Sequence, residues 1–286
     1  MFPSPYAPAD WESAYSNAPN IPGGEEWPAR WRAEARAARE RFGDRGTEIG
    51  YGEGERERID LFVPHGPPRG LVVFVHGGYW MRFDRSDWSH LARGPLHHGW
   101  AVAMPGYTLA PHARIREIAR AVSRAVAVAA ERIDGPIRLV GHSAGGQLVT
   151  RLVCGDSSPR LSRPLLDRVE RVVSVSGVHD LRPLLRLALN ETLRLGEEEA
   201  RRESPALLSP HPGTELVAWV GQAERAEFVR QTELLANVWR GAGARTACVI
   251  EPDRHHFDVV EGLVDPASPL CACVVEDAAG ETRGHA

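Results

Sequence analysis

Six short apolar runs punctuate this chain, at residues 71–75 (LVVFV), 100–104, 137–140, 171–175, 216–220 and 246–250. Runs of this length predict strands buried on both faces, as in a parallel sheet. Residues 56–63 differ, because charged and apolar positions alternate there through Arg58, Ile59, Asp60 and Leu61. That period of two predicts a half-buried antiparallel strand leading into the others. Between the runs, Ile115, Ile118, Val122, Val126, Ala129, Ala130 and Ile133 recur at three- and four-residue steps, which predicts an amphipathic helix over 113–133. Alternating strand and helix selects an α/β architecture, a mostly parallel, doubly wound sheet covered on both faces. The whole of 1–286 reads as a single domain. Residues 1–45 form an N-terminal arm and helix, rich in Pro, Ala, Ser and Gly up to about residue 26 and helical from Trp27. Residues 179–212, rich in Leu and Arg, break the alternation and are read as a small cap insertion, with a plain surface helix pair as the alternative.

Composition removes several functions. The formal charge of −4 lacks the cationic excess of a nucleic-acid binder, so no nucleic acid is expected as a partner. All 34 basic residues are Arg, which excludes a Walker A loop, a pyridoxal Schiff base and a kinase strand lysine. Purely aliphatic stretches stop at five or six residues, far short of the ~20 needed to span a bilayer, so no membrane partner is expected. The Pro-rich start, Met1-Phe2-Pro3-Ser4-Pro5, lacks the features of a secretory signal, which leads to a cytoplasmic expectation. The four cysteines, including Cys271-Ala272-Cys273, have no partner cluster at zinc-site spacing. No metal is expected.

Gly141-His142-Ser143-Ala144-Gly145 fits a nucleophile elbow, a serine on a sharp strand-to-helix turn that only small neighbours permit. Its context agrees, since an apolar strand precedes it and a helical stretch, Gln147-Leu148-Val149-Thr150, follows. Ser143 therefore falls at the carboxyl edge of the sheet, where α/β proteins bind ligands. After the first parallel strand, His76-Gly77-Gly78-Tyr79-Trp80 lets backbone N–H groups approach a substrate oxygen. With the N–H of Ala144, Gly77 and Gly78 are the candidate oxyanion hole. Tyr79 and Trp80, together with His142 beside the serine, are the candidate substrate-binding residues. Phe83, Trp88 and Tyr107 add to the aromatic density near this loop, although core packing would account for the same rings. The base and its acid should follow the serine along the chain. Either His255 or His256, after the last strand, can be the base; Glu224 or Glu227, after the strand before it, can be the acid. Asp180 follows an earlier strand and competes for the acid role, with helix capping near residue 181 as its other reading.

These motifs, with Gly106-Tyr107-Thr108-Leu109-Ala110-Pro111, Ser176-Gly177-Val178-His179-Asp180-Leu181 and Glu227-Phe228-Val229-Arg230-Gln231, make the chain resemble the arylformamidase (kynurenine formamidase) branch of the α/β-hydrolases. The resemblance extends to Ala14-Tyr15-Ser16-Asn17 and to Leu189-Asn190-Glu191-Thr192-Leu193-Arg194-Leu195. It implies an α/β-hydrolase fold and the catalytic set Ser143, Glu224 and His256. His256-Phe257-Asp258 matches the family's histidine motif, and Glu224 aligns where vertebrate formamidases carry Asp. The implied activity is hydrolysis of an aryl formamide such as N-formylkynurenine, without metal or organic cofactor. A general short-chain carboxylesterase is the alternative within the class, and a non-catalytic ligand-binding protein is the alternative outside it. The expected partner is a small-molecule aryl formamide or ester; a homodimer is left open.

Overall fold

The computed structural model describes residues 10–155, 158 and 161–277. Eight strands form one sheet: β1 (Gly46–Gly50), β2 (Arg58–Phe62), β3 (Leu71–Val75), β4 (Ala101–Pro105), β5 (Ile137–His142), β6 (Val169–Val175), β7 (Glu215–Gly221) and β8 (Arg245–Glu251). Their order is β1-β2-β4-β3-β5-β6-β7-β8. The β1/β2 and β2/β4 pairs are antiparallel and all others are parallel. This is the α/β-hydrolase arrangement, with β5 central and its carboxyl end beside that of β3.

The apolar runs form interior strands because each alternate side chain meets a different helical layer. In β3, Leu71, Val73 and Val75 enter one core while Val72 and Phe74 enter the other. Burying such a side chain contributes about 1.5–3 kcal/mol. The first layer contains the helices Ile115–Ala130, Ala144–Leu152 and Ala226–Gly241; the second contains Trp27–Phe42 and Pro269–Val275. Cys271 belongs to that second core, and its burial pushes the thiol up to about 12. Among the described residues no helix is long and apolar enough to cross a membrane.

Two strands depart from expectation. The short β1, with glycine at both ends, adds an antiparallel outer strand that the sequence pattern missed. At the other edge β8 is parallel to β7 as expected, yet it is largely exposed rather than buried, with Ile250 at 41%. Among the described residues no strand pairs with its outer side.

The insertion between β6 and β7 consists of short turns and helices, Arg182–Arg186, Asn190–Leu193, Glu197–Arg202 and Pro205–Leu207. Leu184, Leu187, Leu193 and Leu195 bury into the first core. Most of its apolar surface therefore packs against the sheet layer. Leu189 is its sole contribution to the large cavity above the sheet, whereas the arm from Asp10 to Glu25 lines much of that cavity.

The arm is tied down across 176 to 212 residues of sequence. Tyr15 Oη donates to Glu227 Oε1 at 2.6 Å, Arg225 Nε donates to the Ser13 carbonyl at 3.0 Å, and the Ala188 N–H donates to Glu12 Oε1 at 2.6 Å.

Candidate active site

Ser143 sits between β5 and the helix Ala144–Leu152 with φ +56° and ψ −119°, a conformation strained for a residue carrying a Cβ. The turn closes only because its neighbours are glycine. A Cβ on Gly141 would lie 2.1 Å from the Gly145 carbonyl oxygen, and one on Gly145 would lie 1.9 Å from that of Val75. The Ser143 N–H donates to the Val175 carbonyl at 2.8 Å, which ties the elbow to β6.

Gly77 packs against the elbow, where a Cβ would come within 2.8 Å of Ser143 Cβ. Gly78 has φ +101°, open to glycine and costly for other residues. Among the described residues the N–H groups of Gly78 and Ala144 have no hydrogen-bond acceptor within the chain. Two free donors beside a serine at a helix N-terminus suit a developing oxyanion.

His256 follows β8, and its Nδ1 lies 2.7 Å from Glu224 Oε2, with 4% and 0% of the two side chains exposed. Glu224 Oε1 also accepts from Ser176 Oγ and from the Gly221 N–H. The carboxylate is thus oriented by two donors while it accepts the Nδ1 proton, leaving Nε2 as the basic nitrogen. The ring is wedged between Phe228 and His142, with centroids 4.3 and 4.8 Å away.

The other candidates are elsewhere. Glu227 is engaged by Tyr15, Arg230 and Gln231. Asp180 accepts from the Arg182 N–H at 3.1 Å and pairs with the Arg182 guanidinium. His255 Nδ1 accepts from the N–H groups of Phe257 and Asp258, and its ring meets Trp27. Of the three carboxylates that the sequence offers, Glu224 alone contacts His256.

Ser143, His142 and His256 line one cavity of about 720 Å³ with Gly78, Tyr79, Phe83, Trp88, Trp31 and Phe257. Tyr79 Oη donates to the Tyr15 carbonyl, joining the oxyanion loop to the arm. Trp80 requires correction as a substrate-binding residue, because it is fully buried, does not line the cavity and donates its indole N–H to Gln147 Oε1 at 3.1 Å. The chain turns through two successive left-handed residues there, φ +52° and +58°, and the adjacent rings part. Tyr107 is likewise buried, donating to the His76 carbonyl at 2.9 Å.

His142 is a structural support as well as a wall. Its Nε2–H donates to the His256 carbonyl at 2.9 Å, and burial, with the nearby His256, drives its pKa well below 6.5. Sequence reasoning expected the arm but missed its place in the cavity wall, and it missed the contacts of Ser176 and Phe228. Ser176 lies inside a quoted motif, but nothing in the sequence points its hydroxyl at Glu224.

Glu34, His90 and Glu261 form the one group of metal-ligand type among the described residues. None of them lines the cavity. Arg30 and Trp31 already donate to Glu34 and Glu261 at 2.8 and 2.9 Å, so the carboxylates have partners without a metal.

The fold and this site define a hydrolase of the α/β class. Residues 72–281 match the alpha/beta hydrolase family. The chain is 32% identical over 228 residues to a kynurenine formamidase of Salmo salar and 30% identical to one of Danio rerio, each match covering 76% of both chains. A crystal structure from Silicibacter sp. TM1040, provisionally described as a thioesterase, superposes with TM-score 0.88 at 45% identity, covering 93% of this chain and 99% of that one. An esterase of Pyrobaculum calidifontis shares the fold at TM-score 0.67 and 17% identity, covering 88% of this chain and 91% of its own. The chain belongs to the alpha/beta hydrolase family, and within it to the arylformamidase-like branch.

Proposed function

We propose that this hydrolase cleaves an aryl formamide, of which N-formylkynurenine is the type, through a formyl-enzyme on Ser143. His256 Nε2 takes the Ser143 Oγ proton as Oγ attacks the formyl carbon. The carbonyl π electrons move to oxygen, where the N–H groups of Gly78 and Ala144 stabilise the charge. Collapse breaks the C–N bond, and the His256 proton passes to the departing aryl amine. Water, deprotonated by the same nitrogen, then releases formate and restores Ser143. Glu224 holds His256 in the required tautomer and stabilises its imidazolium. The observation that carries this reading is the 2.7 Å His256–Glu224 contact in the cavity wall beside the Ser143 elbow; the formamidase relatives favour the formyl group.

A second reading, hydrolysis of a short-chain ester or thioester, uses the same residues and is favoured by the 45% identical structure described as a thioesterase. Steady-state kcat/KM for N-formylkynurenine, 4-nitrophenyl acetate and acetyl-coenzyme A separates the readings. The first expects N-formylkynurenine to lead. A leading ester or thioester, with the formamide left intact, selects the second.

A further inference from the structure

We infer that Asn17 and Arg82 form a subsite for the α-amino acid end of the substrate, so that the cavity selects an aryl formamide carrying a zwitterionic tail over one without it. This rests on the aryl-formamide reading above and names the part of that substrate the reading leaves open.

Asn17 precedes the 3₁₀ turn Ala18–Asn20, a place where asparagine ordinarily caps with its side chain. Here the side chain makes no capping bond, and Pro19 at the second position has no N–H to offer. Asn17 is only 8% exposed and lines the cavity, yet among the described residues its Oδ1 has no hydrogen-bond partner. A buried carboxamide oxygen without a partner is costly, and a ligand in the cavity can satisfy it. Its position is not accidental slack in a loose segment. The arm is bonded at Tyr15 to Glu227 and to Tyr79, two residues before Asn17.

Arg82, on the oxyanion loop, lines the same cavity. It is the one arginine among the lining residues, and its side chain makes no ion pair or hydrogen bond among the described residues. Asp10, Glu12 and Glu25 also line the cavity. An arginine and acidic residues on one cavity wall complement a carboxylate and an ammonium held on one carbon. The carboxamide can donate through Nδ2 to the first and accept through Oδ1 from the second.

The test is calorimetric binding to the intact protein of two probes with the same aminophenyl ketone, kynurenine and 2-aminoacetophenone, the latter lacking the amino acid end. Wild type should bind kynurenine about ten-fold or more tighter, and Asn17→Ala and Arg82→Gln should each bring the ratio near one while leaving 2-aminoacetophenone affinity unchanged. Arg82 is exposed, so its substitution does not depend on how the arm tolerates change. Equal affinities in wild type overturn the subsite, as does a ratio that survives both substitutions, a parallel loss of both probes, or no measurable binding of either at millimolar concentration. Binding needs no turnover. Protein that shows the ratio but leaves N-formylkynurenine intact refutes the reaction and supports the subsite; formamide hydrolysis without the ratio does the reverse.

Discussion

His256 Nδ1 and Glu224 Oε2, 2.7 Å apart and both buried, join the loop after β8 to the loop after β7. The pair has no solvent to substitute for a lost charge. Glu224→Gln keeps the shape but removes the anion that fixes the tautomer, so kcat should fall by about 10⁴, as for the equivalent change in a serine protease triad. Asp180→Asn should retain near-normal kcat, because Asp180 is held by Arg182 away from the histidine. Steady-state kinetics of the two variants decides it; a dead Asp180→Asn beside an active Glu224→Gln would place the acid after β6.

Removing the nucleophile gives a complementary signature in activity and stability. Ser143→Ala should lower turnover by ~10⁴ or more with little change in melting temperature, since few packing atoms are lost. Ser143→Gly should be equally inactive but more stable than the alanine variant by roughly 1 kcal/mol, because glycine accepts φ +56° without strain and only part of that gain is offset by its chain entropy. Thermal melts of the two variants test the strain; a less stable glycine variant would deny it.

The aromatic residues near the oxyanion loop divide by position. Phe83 lines the cavity, so Phe83→Ala should reduce the preference for aryl over alkyl substrates by about two- to ten-fold, the worth of one stacking contact. Trp80→Phe should leave that preference unchanged and lower the melting temperature, since it strands Gln147 Oε1 and empties space in the core. Ratios of kcat/KM for phenyl and ethyl acetate, read beside a melt, separate the two roles. A shifted ratio in Trp80→Phe would return that ring to the pocket.

The contrast between Tyr79 and Trp80 shows what the sequence could carry. The elbow around Ser143 was legible because its glycine spacing is a local steric demand, met within five residues. Strands β3 to β7 were legible because burial on both faces leaves continuous apolar runs. Which way adjacent rings point after a reversal at positive φ is not encoded in hydropathy, and Trp80 was misplaced for that reason. The exposure of β8 was hidden for a different one: its run from Thr246 to Ile250 resembles an interior strand, and only the sheet order makes it the edge strand among the described residues. The contacts that hold the arm were least legible. Tyr15 is positioned by Glu227, 212 residues away, and no local pattern announces such a contact. Asn17 reads in sequence as a turn residue; its unsatisfied carboxamide exists only once the arm is laid over the cavity.

Three buried histidines make stability fall with acidity. Burial lowers His76 to about 4 and His179 to about 3, and His142 lies well below its ordinary 6.5. Their neutral forms are fully favoured above pH 6.5. As pH falls below that value the unfolded chain takes up three protons that the native chain refuses, so the folded state loses ground. Glu203 acts in the opposite direction. Burial raises it from 4.5 to about 7, so between those values the native chain keeps a proton that the unfolded chain has released, and this contribution grows as pH falls. The balance near pH 5 is about two protons in favour of unfolding, on the order of 3 kcal/mol of stability per pH unit. Urea unfolding at pH 7.5, 6.0 and 5.0 should show a declining midpoint, steepest between the last two. Glu203→Gln removes the opposing proton, so its stability should fall more steeply over the same interval, by about one further proton, whatever its starting value. A flat or rising midpoint in wild type between pH 6.0 and 5.0 would mean that these histidines are charged in the native state.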